Sequence, residues 1–195
     1  MINKEIDRSQ MYVDVAKLHI DCIKKGFLPS LGVKFLALLY RCIDESDFST
    51  LIVKYKDCQL IGFVTGTLDH SNLYKKMFSY PLDLFIALIP IVFNVKKIIK
   101  VIDIRKHMSG SKRSKYSKAE LLTICVHPDH RQQGIAVDLY EKLSNYFRSV
   151  FVYEFVIIVG QSLKANLFYK KRGVELVDEI QVHPNINSNL YIQKL

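Results

Sequence analysis

Residues 119–149 read AELLTICVHPDHRQQGIAVDLYEKLSNYFRS, and this stretch decides the fold. It begins with the apolar run 121–126, closed by Pro128, which is typical of a short buried strand. It ends with apolar residues at every fourth position, a spacing that predicts an amphipathic helix. Those positions are Ile135, Leu139, Leu143 and Phe147. A strand, a tight turn and a helix therefore follow one another without interruption.

The turn between them, residues 131–136, reads RQQGIA. A glycine at the start of a helix lets the backbone approach a ligand, and the first-turn N–H groups have no partner inside the helix. The helix dipole adds positive charge there, so the pattern favours a phosphate or pyrophosphate. Gly134 alone is a weak signal, since neither a three-glycine dinucleotide fingerprint nor a P-loop is present. The alternative interpretation is an ordinary strand-to-helix turn.

A second motif, SLKANLFYKKRGV, spans residues 162–174 and follows a predicted strand at 155–159. Ala165, Tyr169 and Gly173 are spaced by four. This spacing places Ala165 and Tyr169 on one face of a helix and lets Gly173 end it. Ser162 is expected to cap the start of this helix.

Together the two motifs resemble those of the GNAT superfamily of acyl-CoA-dependent N-acetyltransferases. That family has Arg/Gln-x-x-Gly-x-Gly/Ala after a Val-x-Pro strand end, then Asn-x-x-Ala-x-x-Phe-Tyr-x-x-x-Gly-Phe. This chain departs from it at Ser162, where the family has Asn, and at Val174, where it has Phe. The resemblance implies a single α/β domain over residues 1–195, with a central mixed sheet flanked by helices. Residues 69–118 are then a helical and basic insertion before the central strand.

The resemblance also implies acetyl-CoA as cosubstrate. The glycine loop would hold the pyrophosphate of coenzyme A, and the end of the central strand would hold the pantetheine arm and polarise the thioester carbonyl. The family asparagine contacts the cofactor, so its replacement by Ser162 puts that contact in question. The implied cofactor-binding residues are Ile124, Cys125, Val126, Arg131, Gln132, Gln133, Gly134, Ile135, Ala136, Ser162 and Ala165.

Two residues are the implied catalytic groups. Tyr169 matches the family tyrosine that protonates the departing sulfur, although a helix tyrosine is also often core packing. Glu120 matches a glutamate that serves some family members as general base. One alternative is that Glu120 is only a solvated residue at the end of a strand. The other is that the amine loses its proton to water. The implied reaction is direct attack by a primary amine in a ternary complex. The acceptor is a small amine such as an amino sugar; the alternatives are a protein amine, or a coenzyme A-binding module without turnover.

The chain carries a net charge of +9, which indicates an anionic partner. Its densest basic run, residues 105–118, has six Lys or Arg and no acidic residue. We interpret the run as a solvated loop and expect no nucleic-acid partner, because no RNA motif or recognition helix accompanies it. Four cysteines without a Cys-x-x-Cys pair indicate reduced thiols, and no metal-binding pattern is present. The charged N-terminal stretch predicts a cytoplasmic protein.

Residues 82–95 are almost continuously apolar but too short and too interrupted for a membrane span. They predict two helices broken at Pro90, followed by a basic helix. We expect this stretch to pack against the domain near the acceptor side, with Phe85 and Ile89 on the buried face. A homodimer contact and peripheral membrane contact through residues 82–101 stay open as alternatives.

The remaining patterns complete the predicted fold. They indicate a helix from Asp14 to near Gly26 and a second helix capped by Ser30. Phe27 and Tyr40 either line a substrate pocket or belong to the core. The other predicted elements are a short strand at 2–6, a hairpin formed by 51–55 and 60–67, and closing strands at 176–182 and 190–195.

Overall fold

A six-stranded mixed sheet forms the centre of the molecule. The computed structural model describes residues 7–24, 27–69, 75–92, 116–183 and 186–195. Neighbouring strands run in the order β1-β2-β3-β4-β6-β5, and each pair is antiparallel except β3 and β4. The strands are β1 (Ser49–Lys56), β2 (Gln59–Thr67), β3 (Glu120–Val126), β4 (Glu154–Gly160), β5 (Glu175–His183) and β6 (Ile186–Lys194). The predicted mixed sheet is therefore confirmed.

Helices cover both faces of the sheet, as predicted. They are α1 (Arg8–Cys22), α2 (Phe27–Ser30), α3 (Val33–Asp44), α4 (Pro81–Val92), α5 (Ile135–Ser149) and α6 (Ala165–Lys171). One hydrophobic cluster joins α1 and α3 to one face of the sheet, and a second joins α5 and α6 to the other. The strands between them are thus buried on both sides.

The helix predicted from the four-residue spacing is α5, and its apolar stripe is buried. Leu139, Leu143 and Phe147 are fully buried, and the Phe147 ring lies 4.9 Å from that of Phe155 on β4. A Cβ atom at Gly66 of β2 would lie 2.6 Å from Leu143. The glycine is therefore needed because the helix lies directly on the strand.

Several predicted boundaries are wrong on the face covered by α1 and α3. Helix α1 begins at Arg8, because the Asp7 side chain caps it by accepting from the Ser9 N–H at 3.0 Å. Ser30 ends α2 instead of capping α3, whose N-cap is Gly32 at φ 86°. Tyr40 is buried with its hydroxyl against the His19 ring, so it belongs to the core and does not line a pocket. The predicted strand at 2–6 lies outside the described residues.

The closing strands are longer than predicted. The β5–β6 ladder continues to the pair formed by His183 and Ile186, which replaces most of the predicted loop with regular pairing. The β1–β2 hairpin agrees with its prediction, with Lys56 opposite Gln59 at the turn.

Two predictions for the insertion are wrong. Helix α4 continues through Pro90 to Val92, so Pro90 lies in its last turn and does not separate two helices. Phe85 and Ile89 are exposed, while Leu84 and Ala87 form the inner side. The basic helix predicted from residue 96 lies outside the described residues. No helix in the described ranges is long and apolar enough to cross a membrane.

Candidate active site

The central feature of the site is a gap between the two parallel strands. Strands β3 and β4 pair through Glu120 with Val156 and Leu121 with Ile157, and nowhere further along their described length. The β2–β3 register shifts next to Leu122, and such a bulge bends a strand. Strand β4 instead pairs with β6 along its whole length. The edge of β3 after Leu121 therefore faces an opening in the middle of the sheet.

The glycine loop lies at the outer end of this gap. Gln132 and Gly134 both have left-handed backbones, with φ 61° and 76°, and Gln133 between them does not. Alternation of this kind is found in backbone concavities that bind anions, in which successive N–H groups turn toward one side. Helix α5 begins immediately afterwards, at Ile135, and adds its own free donors. Nothing lies within 4 Å of where a Cβ atom of Gly134 would stand.

Two side chains of the loop point back into the protein and fix its shape. Arg131 donates from Nε to the Val126 carbonyl at 3.2 Å. Gln133 donates from Nε2 to the Asp129 carbonyl at 3.3 Å. The Val126 carbonyl, one of the backbone groups of residues 124–126 predicted to bind the cofactor, is thus already engaged within the chain.

A pair of thiols lies beside the loop, and sequence reasoning did not include one of them. Cys22, at the end of α1, donates to the Val126 carbonyl at 3.3 Å, and Arg131 Nη2 lies 3.8 Å from its sulfur. The Cys125 thiol and the Arg131 guanidinium lower the pKa of Cys22 to about 7, whereas the pKa of the buried Cys125 is raised. No sequence signal could reveal this contact, because Cys22 and Arg131 are 109 residues apart.

We expect Cys22 to be the reactive thiol of the protein. Its alkylation rate by iodoacetamide, followed by mass spectrometry between pH 5.5 and 9.5, should be half-maximal near pH 7. The thiolate is the nucleophile, so the rate rises as pH passes through the pKa. Arg131→Gln should move the midpoint upward, since it removes a positive charge. A rate still increasing steeply above pH 8.5 would contradict the assignment; exposed Cys58 serves as the control for reagent access.

Tyr169 lies on α6 in the cluster that packs under α5. Its ring is buried against those of Tyr140 and Tyr191, with centroids 6.3 and 5.8 Å away. Burial, with the charges of Tyr140 and Cys125, raises its pKa. Within the described residues no side chain hydrogen-bonds its hydroxyl. The phenol therefore keeps its proton at neutral pH.

The start of α6 differs from its prediction. The helix begins at Ala165 with Lys164 as N-cap and no side-chain cap, so Ser162 lies in the preceding turn and does not cap it. Gly173, at φ 70°, ends the helix as predicted. Ala165 is exposed although it shares the helix face of buried Tyr169.

Asn166 fixes α6 in place of a cap, and sequence reasoning missed it. Its buried Nδ2 donates to the carbonyls of Gly160, Gln161 and Leu163 at 2.9, 3.1 and 2.8 Å. Its Oδ1 accepts from the Asn189 amide at 2.8 Å and the Tyr191 hydroxyl at 2.9 Å. The residue joins α6 to the open end of β4 and to β6. It thereby positions the helix that carries Tyr169.

Glu120 is buried at the closed end of the gap, where β3 still pairs with β4. Because strand residues alternate in direction, Glu120 points to the opposite face from Leu121, which packs in the α5 cluster. Glu120 and Tyr169 therefore lie on opposite faces of the sheet.

The family is decided by comparison with known proteins. The model of the acetyltransferase (GNAT) family matches residues 18–174, which is most of the chain. The chain belongs to this family. The match includes both motifs and the insertion between the hairpin and the central strand of this GNAT protein. No curated protein sequence matches it.

Solved structures with the same fold agree. An aminoglycoside 6'-N-acetyltransferase complexed with coenzyme A has TM-score 0.62 and 12% identity, covering 100% of this chain and 97% of its own. PaiA N-acetyltransferase from Thermoplasma acidophilum, also with coenzyme A, has TM-score 0.59 and 11% identity, with coverages of 96% and 94%. The ribosomal-protein-S18-alanine N-acetyltransferase from Escherichia coli has TM-score 0.58 and 11% identity, with coverages of 95% and 88%. At these identities the likeness shows the GNAT fold alone.

Proposed function

We propose that this GNAT protein transfers the acetyl group of acetyl-CoA to a primary amine by direct attack in a ternary complex. The observation that carries the proposal is the gap between β3 and β4, with the glycine loop following β3 and helix α6, which carries buried Tyr169, following β4. The two GNAT proteins with coenzyme A named above support the choice of cosubstrate. The four free cysteines support a reducing, cytoplasmic setting.

The cofactor would lie along the gap. Loop residues 131–136 would donate backbone N–H groups to the pyrophosphate, and the exposed edge of β3 from Ile124 to Val126 would pair with the pantetheine amides. Ala165, exposed at the start of α6, fits a further cofactor contact, as Ser162 does from the preceding turn. The thioester would then reach the inner end of the gap, between Glu120 and Tyr169.

The reaction needs little covalent help from the protein. The amine nitrogen attacks the thioester carbonyl carbon, the C–N bond forms, and the C–S bond then breaks. The departing sulfur takes the proton of Tyr169, and the amine gives its proton to Glu120 or to water. Tyr169 recovers its proton from solvent after the products leave. Alignment in the gap supplies much of the rate, because it makes a bimolecular step effectively unimolecular.

The acceptor class we propose first is a small amine such as an amino sugar. The nearby structures include enzymes named for an aminoglycoside and for a protein alanine, so the fold alone does not favour one acceptor. A protein amine is therefore the alternative acceptor, and a coenzyme A-binding module without turnover is the alternative function.

A thiol-release assay with acetyl-CoA tests the proposal. The panel contains amino-sugar nucleotides, polyamines, amino acids and peptides, and mass spectrometry identifies the acetylated product. We expect one class to release one thiol for each acetyl group transferred. A thermal shift with coenzyme A is measured in parallel, since a ligand at about 100 times its Kd stabilises by about 2.7 kcal/mol. A shift without any acceptor-dependent release would favour the binding module. The absence of both the thermal shift and the thiol release would refute the proposal.

A further inference from the structure

Two of the four cysteines lie side by side next to the glycine loop. Cys22 is the last residue of α1, and Cys125 lies on β3, one residue before the strand ends. The Cys125 thiol donates a hydrogen bond to the Cys22 sulfur, so the two sulfurs are direct neighbours. Both side chains belong to the cluster that joins α1 and α3 to the sheet. A bond between them needs only a shift at the end of α1, and helix ends fray readily.

The two thiols have different surroundings, which give them different chemistry. Cys22 is partly exposed, whereas Cys125 is 3% exposed. The hydrogen bond from Cys125 and the guanidinium of Arg131, whose Nη2 lies 3.8 Å from the sulfur, lower the pKa of Cys22 to about 7. Thiol and thiolate forms of Cys22 therefore coexist at neutral pH. An accessible thiolate with a second thiol beside it is the arrangement found in redox-sensing cysteines.

We propose that Cys22 and Cys125 form a reversible disulfide when the protein meets a hydroperoxide. Cys22 is the thiol that reacts with the oxidant, and Cys125 is the thiol that resolves the product. The inference is independent of the acetyl-transfer proposal, since it needs only the two thiols and the peroxide.

The reaction has two steps. The Cys22 thiolate attacks one peroxide oxygen, the O–O bond breaks, and Cys22 becomes a sulfenic acid. The other oxygen leaves and takes up the proton that the Cys22 thiol gave up, as water from hydrogen peroxide. The Cys125 sulfur then attacks the sulfenic sulfur, the S–S bond forms, and a second water leaves with the Cys125 proton. Together the two thiols lose two electrons, and the peroxide gains them.

The other two cysteines lack this combination of features. Cys42 is buried, and burial raises its pKa to about 11, so it stays a protonated thiol. Cys58 is exposed, but it lies in the turn between β1 and β2, away from the cluster that holds the pair. We therefore expect the disulfide to be specific for Cys22 and Cys125.

The disulfide would change the surroundings of Arg131. It removes the thiolate charge beside the guanidinium, and it ends the hydrogen bond from the Cys22 thiol to the Val126 carbonyl. Arg131 itself donates to the same carbonyl. The oxidation state of the pair therefore sets the charge and the hydrogen bonds at the base of the glycine loop.

Peroxide treatment of the full chain followed by thiol mapping tests the inference. The protein is exposed to a small molar excess of hydrogen peroxide, denatured in N-ethylmaleimide and digested without reduction for mass spectrometry. We expect a peptide pair linked through Cys22 and Cys125, with the maleimide label on Cys42 and Cys58. Dithiothreitol added before the label should restore four labelled cysteines.

Substitutions separate the two roles. Cys125→Ala should leave the Cys22 sulfenic acid unresolved, so labelling of Cys22 by dimedone should rise at least tenfold over the parent. Cys22→Ser should abolish the linked peptide pair. Cys58→Ser is the matched control, because it removes an exposed thiol outside the pair, and it should form the linked peptides as fast as the parent.

Three results would overturn the inference. Full maleimide labelling of Cys22 and Cys125 after peroxide treatment would show that the pair is not sensitive to peroxide. A link from Cys22 to Cys58 or to a second chain would show that Cys125 is not its partner. Oxidation of Cys22 in the parent that dithiothreitol cannot reverse would show that Cys125 does not resolve the sulfenic acid. All three are read from the parent protein without acetyl-CoA, so they depend neither on the folding of a variant nor on acetyl transfer.

Discussion

We expect Tyr169→Phe to slow turnover by about 10²–10⁴-fold, the range typical of a positioned acid, while coenzyme A affinity is unchanged. The variant removes only the hydroxyl. The ring contacts with Tyr140 and Tyr191 depend on the aromatic ring and survive. Because burial raises the pKa of Tyr169, the parent enzyme enters each cycle with the phenol protonated. Without it the departing thiolate must find a proton from water.

The measurement is kcat with the best acceptor, together with calorimetry of coenzyme A binding. Tyr140→Phe is the control, because it removes a neighbouring buried hydroxyl that donates to Gln193 Oε1 at 2.6 Å. That variant should lose about 1 kcal/mol of stability and little turnover. If Tyr169→Phe turns over within a factor of three of the parent, another group or water protonates the sulfur.

The second large effect is expected from Gly134→Val, which should weaken coenzyme A binding tenfold or more, about 1.4 kcal/mol. Gly134 has φ 76°, where a β-branched residue is strained. The Cβ atom would also enter the open space in front of the loop. Valine therefore either distorts the loop or places methyl groups where the pyrophosphate is proposed to lie.

Calorimetry of coenzyme A binding decides this prediction, with Gly32→Val as the matched control. Gly32 has φ 86° and an equally open surrounding, but it lies at the start of α3. Both variants should lose stability from backbone strain, by about 1–3 kcal/mol each. Only Gly134→Val should lose affinity. Unchanged affinity in a folded Gly134→Val protein would mean that the loop does not bind the cofactor.

The sequence was most informative where local spacing and tertiary burial agree. The four-residue stripe of α5 and the apolar run of β3 follow directly from side-chain periodicity, and both elements lie at the predicted place. The end of α6 at Gly173 could also be predicted from the sequence, because a left-handed backbone at a helix end favours glycine. These elements carry most of the predicted site.

The missed features depend on contacts between distant residues. Asn166 has its partners on β4 and β6, and nothing in its neighbourhood distinguishes a buried asparagine from an exposed one. The left-handed backbone of Gln132 has no local signal, since glutamine does not favour that region. In α4 nearly every side chain is apolar, so the sequence gives no periodicity from which to tell the inner face from the outer one.

The strand order also constrains synthesis. Strand β6 lies between β4 and β5, so one wall of the gap borders on a strand that is synthesised after the other five strands of the sheet. Until residues 186–194 emerge, β4 lacks its long antiparallel neighbour, and Asn166 lacks its partners Asn189 and Tyr191. Helix α5 and strand β3 can pack earlier, because their contacts with each other are local. A nascent chain therefore has the finished glycine loop before it has the finished gap, and the proposed cofactor site is complete only after translation of β6.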